Sequence, residues 1–129
     1  MAATKTQKTL YTSASLAAAT ALTTVTEWNL STAYGGLYTI KLTNGASAPT
    51  TAPVAIIYVG DATGVKRQLY TASGDTVANS VTDIVCELPA ATMFANCKIT
   101  NGATNAITVE VYGRSEEHTS ELQSRSAIS

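Results

Sequence analysis

Residues 81–113, VTDIVCELPAATMFANCKITNGATNAITVEVYG, decide the fold class of this chain. Apolar and polar residues alternate in three of its segments, which are 81–88, 95–100 and 107–111. Alternation with a period of two places the apolar side chains on one face, which is the pattern of a half-buried β-strand. The β-branched residues in these segments strengthen the prediction. The stretch therefore predicts three consecutive strands of an all-β domain.

Other segments of the chain predict further strands, at 7–12, 21–28, 37–43, 54–59 and 66–71. Segment 54–59, VAIIYV, is continuously apolar, which predicts a central strand covered on both faces. We expect loops at 13–20 and 29–36, and a hairpin between 54–59 and 66–71. Seven or eight antiparallel strands at this spacing predict an antiparallel β-sandwich, and a jelly roll is one arrangement that fits.

A short segment occurs twice, as KLTNGA at 41–46 and as KITNGA at 98–103. Asn-Gly accommodates positive φ angles and is typical of tight hairpin turns. The second copy is followed closely by segment 107–111, so we expect it to form a hairpin turn there. A duplication and two independent uses of one turn chemistry explain the repeat equally well.

The last residues, 114–129, differ from the rest of the chain and read RSEEHTSELQSRSAIS. They show no apolar periodicity, and they resemble the translation of a common sequencing-library adapter. Such segments are excluded from fold reasoning. The expected organisation is a flexible arm at 1–6, a single β-sandwich domain at 7–113, and a disordered, non-native tail at 114–129.

Composition limits the partners of the domain. The chain has 8 Lys and Arg against 9 Asp and Glu, and its last segment holds two of the basic and three of the acidic residues. Residues 1–113 therefore have no net charge, which argues against nucleic-acid binding. No apolar run is long enough to cross a membrane, and the N-terminus lacks the apolar region of a signal peptide. Because large apolar residues are few, we expect stability to depend on homo-oligomerisation.

The side chains offer no catalytic set. The single histidine, His118, lies in the tail, so the domain has no imidazole base for a serine nucleophile. We expect no enzymatic activity, no cofactor and no metal site. Cys86 and Cys97 occupy inward positions on consecutive predicted strands, and a disulfide between them is geometrically allowed. Free thiols are favoured in a protein made in a reducing cytosol.

Two aromatic residues are candidates for surface binding. Trp28 and Tyr34 could stack on sugar rings, and Tyr34 precedes a Gly-Gly pair in a predicted loop. The alternative for both is packing in the core or at a subunit interface, which uses the same apolar ring area. The sequence leaves both roles open.

Three segments resemble small tailed-bacteriophage virion structural proteins of the decoration or head-associated type. They are LSTAYGGL at 30–37, LPAATMF at 88–94 and AITVEV at 106–111. The resemblance implies a non-enzymatic β-sandwich that assembles as a homo-oligomer, with a trimer among the options, and binds the phage capsid or other virion proteins. It would reside in the virion after synthesis in the bacterial host cytoplasm. The alternative function is a glycan- or host-surface-binding module of a phage tail or fibre.

Overall fold

The computed structural model describes residues 4–30, 33–62, 65–89 and 92–117. Within these residues the chain forms nine β-strands and no helix. In chain order they are β1 (Thr4–Leu16), β2 (Ala21–Leu22), β3 (Trp28–Asn29), β4 (Ala33–Asn44), β5 (Val54–Ala62), β6 (Val65–Ser73), β7 (Val81–Leu88), β8 (Phe94–Thr100) and β9 (Ile107–Glu117). No helix in the described part of the chain is long and apolar enough to cross a membrane.

The strands form two antiparallel sheets packed face to face. One sheet has the order β1-β9-β4-β7, and the other has the order β2-β8-β5-β6 with β3 also paired to β8. Only the β2–β3 and β5–β6 connections stay within one sheet, while every other connection crosses the sandwich. This crossing pattern, with sequentially distant strands as neighbours, is that of a jelly roll. The predicted antiparallel β-sandwich is confirmed.

The core lies between the sheets and consists mostly of branched aliphatic side chains. In β4, β7, β8 and β9 every second residue is buried, as the alternation predicts. The largest fully buried side chains in these strands and β5 are those of Tyr38, Ile40, Leu42, Ile57, Ile99, Ile107, Val109 and Val111. Because neighbouring strands present their apolar faces to the same layer, the two sheets share one continuous cluster.

Several strand predictions are corrected by the structure. Segment 13–16 belongs to β1 rather than to a loop, and segment 21–28 contains only β2 and the start of β3. β8 and β9 lie in different sheets, so the second Asn-Gly pair joins the two layers and does not form a hairpin. The β5–β6 hairpin is confirmed. The expected burial of β5 on both faces is not observed, because only alternate residues of this strand are fully buried. The apolar residues between them lie on the outer face of the sheet and are half-exposed.

The chain ends also differ from the expected boundaries. β1 begins at Thr4, inside the expected flexible arm at 1–6. β9 continues through Glu117, so residues 114–117 of the expected disordered tail pair with β1 and β4. They extend a strand that begins at Ile107, and backbone pairing depends little on which side chains the extension carries. Residues 118–129 lie outside the described part of the chain.

Each Asn-Gly pair lies at the end of a strand and is hydrogen-bonded to the segment that precedes a neighbouring strand of the same sheet. The Asn44 amide donates to the Ser80 carbonyl at 2.9 Å, and the Asn79 amide donates to the Gly45 carbonyl at 2.9 Å. At the second copy, the Asn101 amide donates to the Thr20 carbonyl at 3.0 Å, and the Ala19 amide donates to the Gly102 carbonyl at 2.7 Å. Both Asn-Gly pairs thus use their backbone in the same way.

Candidate functional site

The outer face of the four-stranded sheet is the candidate site. In β4 the residues Tyr38, Ile40 and Leu42 point into the core, so the alternate residues of that strand point outward. The strand registers extend this outward set across the sheet. We define the outer face by Leu37, Thr39 and Lys41 of β4, Val81, Asp83, Val85 and Glu87 of β7, and Glu110, Tyr112 and Arg114 of β9.

Apolar side chains are exposed on this outer face. Leu37 is 40% exposed, Val81 is 52% exposed and Val85 is 51% exposed. Thr39 also points outward but is only 7% exposed, because it lies between Val85 and Tyr112 in the strand registers. Single exposed apolar residues are ordinary, whereas neighbouring ones on a regular sheet indicate a contact surface.

A shallow depression lies in the middle of the outer face. Its volume is about 200 Å³, and it is lined by Leu37, Thr39, Asp83, Val85, Tyr112 and Arg114. Pockets that enclose small molecules usually have volumes of roughly 300–1,000 Å³. The depression therefore suits a side chain or a single sugar ring of a larger partner better than an enclosed substrate.

Charges on the outer face are compensated across the strands. Lys41 lies between Asp83 on one neighbouring strand and Glu110 on the other. Arg114 Nη2 donates a hydrogen bond to Gln7 Oε1 at 3.1 Å. Opposite charges on adjacent strands stabilise the sheet modestly, and they leave no large field of one sign on this face. Contact with a partner would depend on apolar area more than on charge.

Trp28 is not a surface residue, and the prediction that it binds ligands at the surface is wrong. It is 3% exposed, and its ring centroid lies 6.2 Å from that of Tyr38 at an interplanar angle of 52°. The ring packs against Gly36 and Gly113 of the opposite sheet, where an added Cβ would lie 2.9 and 2.5 Å from it. The two glycines leave the space that the indole fills, so Trp28 holds the two layers together.

Tyr34 belongs to β4 rather than to a loop, and its side chain lies outside the described residues. Sequence reasoning overlooked Leu37 and Val81 as surface residues. Their signal was present, because each is an apolar residue at an outward position of an alternating strand.

The two cysteines are buried free thiols on strands of different sheets. Burial raises the pKa of the Cys97 thiol to about 11, and the neighbouring Tyr38 hydroxyl offsets part of that rise. Burial also raises the pKa of Cys86, with a further contribution from the Glu87 carboxylate. The Tyr38 hydroxyl is buried without a hydrogen bond, and burial together with Cys97 raises its pKa.

These shifts leave little chemistry in the core. A thiol reacts as its thiolate, and raised pKa values keep both cysteines protonated at neutral pH. Among the described residues, no group of three His, Cys, Asp or Glu side chains could hold a metal ion. The outer face is thus the part of the described surface with the clearest potential for function.

No protein-family model matches the chain, and no curated protein sequence matches it. Among solved structures, the chain is similar to a protein of the Bacillus endospore appendages, a novel family of disulfide-linked pili. The identity is 15%, the TM-score is 0.52, and the match covers 92% of this chain and 93% of that one. At this identity the similarity shows the fold alone.

A second similar structure is the K3 cleaved adhesin domain of Lys-gingipain from Porphyromonas gingivalis w83. The identity is 15%, the TM-score is 0.49, and the match covers 70% of this chain. The chain matches only 60% of the length of that adhesin domain. Neither of these two structures is a bacteriophage protein.

Proposed function

We propose that the chain is a non-enzymatic structural subunit of a bacteriophage particle, a capsid decoration or head-associated protein. The observation that carries the proposal is the row of exposed apolar residues, above all Leu37 and Val85, on the regular outer face of the four-stranded sheet. The resemblance of segments 30–37, 88–94 and 106–111 to small virion proteins supports the choice of a phage particle.

Docking through this outer face follows from its chemistry. The exposed apolar side chains lose contact with water when a partner covers them, which contributes about 25 cal/mol for each Å² of apolar surface buried. One such face gives a weak contact. On a symmetric lattice, copies that also contact one another bind together, so weak contacts add up to stable attachment.

The depression supports a structural rather than an enzymatic role. Its polar lining consists of the Thr39 hydroxyl, the Asp83 carboxylate, the Tyr112 phenol and the Arg114 guanidinium. Nucleophilic catalysis needs a nucleophile with a base in hydrogen-bonding reach, and in the described part of the chain neither the Thr39 nor the Tyr112 hydroxyl is hydrogen-bonded to Asp83. The subunit would therefore act by binding.

The test is attachment to particles of the phage whose genome carries this gene. Particles lacking the protein are mixed with wild-type protein, with Leu37→Ser or with Val77→Ser, and bound protein is measured after sedimentation. Val77 is 59% exposed in the loop before β7, away from the outer face, and is the matched control. We expect Leu37→Ser to lower attachment at least about tenfold and Val77→Ser to leave it unchanged. Absence of wild-type protein from the particles would refute the proposal.

A glycan- or host-surface-binding module of a tail or fibre is the second candidate. Tyr112 lies half-buried in the depression, and Asp83 lines the same depression from the other side of β4, so an aromatic ring and a carboxylate acceptor share one site. Rings of this kind stack on sugars while their polar neighbours fix orientation. A glycan array probed with wild-type protein and with Tyr112→Ala tests it. Binding that is lost in the variant supports this function, and a silent array removes it.

A further inference from the structure

We infer that two copies of this chain pair edge to edge through β7, about a two-fold axis at Ile84, and join their four-stranded sheets into one eight-stranded sheet. The inference rests on the proposed structural role and names the first partner of the subunit as a second copy of itself. It concerns the edge of the sheet, whereas docking to the particle concerns the outer face.

The free edges of the sandwich differ in how well they are protected. β1 has two register shifts against β9, and the Thr26 amide donates to the Leu10 carbonyl at 3.0 Å, which covers part of that edge. β6 has two register shifts against β5, and its sequence contains Lys66 and Arg67. β2 and β3 are two residues each. Bulges, charged side chains (above all Lys), prolines, short strands and covering segments are the devices by which sheets prevent edge pairing.

Of these devices β7 has only charged side chains, the two carboxylates of Asp83 and Glu87. All eight of its residues pair with β4 without a register shift, and Pro89 follows the strand rather than interrupting it. Among the described residues, no backbone hydrogen bond joins β7 to any segment other than β4. Its outer side carries Val81 and Val85, both about half exposed. A regular, half-apolar open edge is a template for a further strand.

Strand direction makes a second copy of β7 a suitable partner. Two copies related by a two-fold axis perpendicular to the sheet place their β7 strands antiparallel, which continues the alternation within each sheet. Pairing of β7 with β1 of another copy would also be antiparallel, but the register shifts and the Thr26 contact interrupt β1. The two-fold arrangement uses only the regular edge.

The charged residues of β7 favour one register between the two copies of this strand. Directly opposite residues lie on the same face, so a two-fold pairing must be centred on a residue. Centring on Val85 opposes Asp83 with Glu87, and centring on Asp83 opposes two aspartates. Centring on Cys86 pairs only residues 84–88. Centring on Ile84 pairs residues 81–87 with no like charges directly opposite, because Asp83 then faces Val85 of the second copy.

Such a dimer would also serve attachment. It places two outer faces side by side on one rigid sheet, and the second face then binds at a high effective concentration once the first is bound. Asp83 already lies beside Lys41 of its own copy, so its charge is partly compensated before the edges meet.

The register predicts opposite effects of opposite charges at residue 85. Val85→Asp places a carboxylate opposite Asp83 of the second copy, twice per dimer, and we expect it to weaken dimerisation about tenfold or more at low ionic strength. Val85→Lys places an ammonium there, and we expect the dimer dissociation constant to change by less than about threefold. Sedimentation equilibrium of the full chain measures all three proteins, with circular dichroism as the check of folding.

Other outcomes overturn the inference. Equal weakening by both variants indicates that Val85 acts through apolar contact and not through this edge register. Open-ended chains indicate head-to-tail pairing of β7 with β1. A wild-type protein that stays monomeric at its highest soluble concentration excludes the dimer.

Cross-linking tests the same register if a charge variant does not fold. Centring on Ile84 places residue 81 opposite residue 87 of the second copy, and both are exposed positions of the outer face. Within one copy these positions are about 20 Å apart along the strand, which is beyond disulfide reach. We expect Val81→Cys combined with Glu87→Cys to give a covalent dimer on mild oxidation, and Val81→Cys alone to give none. A covalent dimer from Val81→Cys alone, or none from the double variant, contradicts the register.

The two proposals fail separately. Leu37 lies on β4, one strand away from the open edge, so Leu37→Ser should leave the dimer intact while it weakens attachment. Protein that dimerises through β7 but is absent from particles refutes the proposed function and keeps the edge pairing. Protein that attaches to particles as a monomer refutes the edge pairing and keeps the proposed function.

Discussion

The two Asn-Gly pairs have the same local structure but different surroundings. Each asparagine is 4% exposed, and each pair exchanges two backbone hydrogen bonds with the segment that precedes a neighbouring strand. The residues that bond to Gly45 and Gly102 are Asn79 and Ala19, and both have positive φ, 59° and 56°. The repeat is thus a repeat of structure, in which the partner segment rather than the Asn-Gly pair adopts the left-handed conformation.

The surroundings of the two pairs differ in the number of contacts. Asn44 Nδ2 donates to the carbonyl oxygens of Asp75 and Val77, both at 2.9 Å. Asn101 Nδ2 faces three carbonyl oxygens at 3.0–3.2 Å, those of Leu16, Ala17 and Asn105, and its own Oδ1 accepts from the Gly102 amide at 2.7 Å. The second pair therefore joins more of the chain.

The glycines differ in the same direction. A Cβ at Gly45 would meet no atom within 4 Å, whereas one at Gly102 would overlap the Thr51 carbonyl oxygen and approach Pro49 at 3.1 Å. Thr104 and Asn105 also bond to the Pro-containing loop, at Thr50 and Ala48. The shared Thr-Asn-Gly-Ala sequence is therefore tightly packed at one junction and open at the other, and its tertiary neighbours make the difference.

Gly102→Ala should have the largest effect. The new methyl group cannot fit without displacing the Thr51 carbonyl, and overpacking of this kind costs about 3 kcal/mol or more. We expect the free energy of unfolding to fall by that amount in urea denaturation. A loss below about 1 kcal/mol would show that the loop yields easily and would remove the contrast with Gly45.

Asn101→Ala should have the next largest effect. It leaves three carbonyl oxygens without their side-chain donor, at a buried site where unmade hydrogen bonds are costly. We expect the free energy of unfolding to fall by about 2–3 kcal/mol. Asn101→Asp keeps the shape and the Oδ1 acceptor but removes the donor, so it should not rescue stability if the donor is what matters.

Asn44→Ala should destabilise the fold less. It removes two side-chain hydrogen bonds to the loop before β7, and both acceptors belong to exposed residues of that loop, Asp75 and Val77. We expect a loss of about 1–2 kcal/mol. Hydrogen exchange offers a second measurement, since the amides of β7 should lose protection in this variant while those of β2 keep theirs. A loss of unfolding free energy equal to that of Asn101→Ala would indicate that the two asparagine side chains stabilise the fold equally.

Gly45→Ala should have the smallest effect. The methyl group enters open space, and alanine restricts the unfolded chain more than glycine does. We expect the free energy of unfolding to stay constant or to rise by up to about 0.5 kcal/mol. Thermal unfolding of this variant beside Gly102→Ala compares the same substitution at the two junctions. Equal losses would contradict the difference in packing.

Most strands could be predicted from the sequence, because alternation is a local property. Segments 37–43, 66–71, 81–88 and 95–100 all lie within strands of the structure, since side chains on a β-strand alternate between faces whatever the strand pairs with. Local patterns revealed only segment 7–12 of the long β1, because the Thr, Ser and Lys residues in the rest of that strand carry little apolar signal. They also left Trp28 open between surface binding and core packing, because an aromatic residue before a loop has the same local sequence whether it is buried or exposed.

The sequence by itself determined that the chain is an all-β sandwich, and it determined which face of most strands is apolar. The tertiary structure alone decided which strands are neighbours, because pairing joins residues that are distant in sequence. It placed β8 and β9 in different layers where the Asn-Gly signal predicted a hairpin. It brought Gly36 and Gly113 against the Trp28 ring, and it left β7 as the regular open edge. Turn residues determine local backbone angles, whereas the sheet to which a strand belongs is decided by core burial and by buried hydrogen bonds such as those of Asn44 and Asn101.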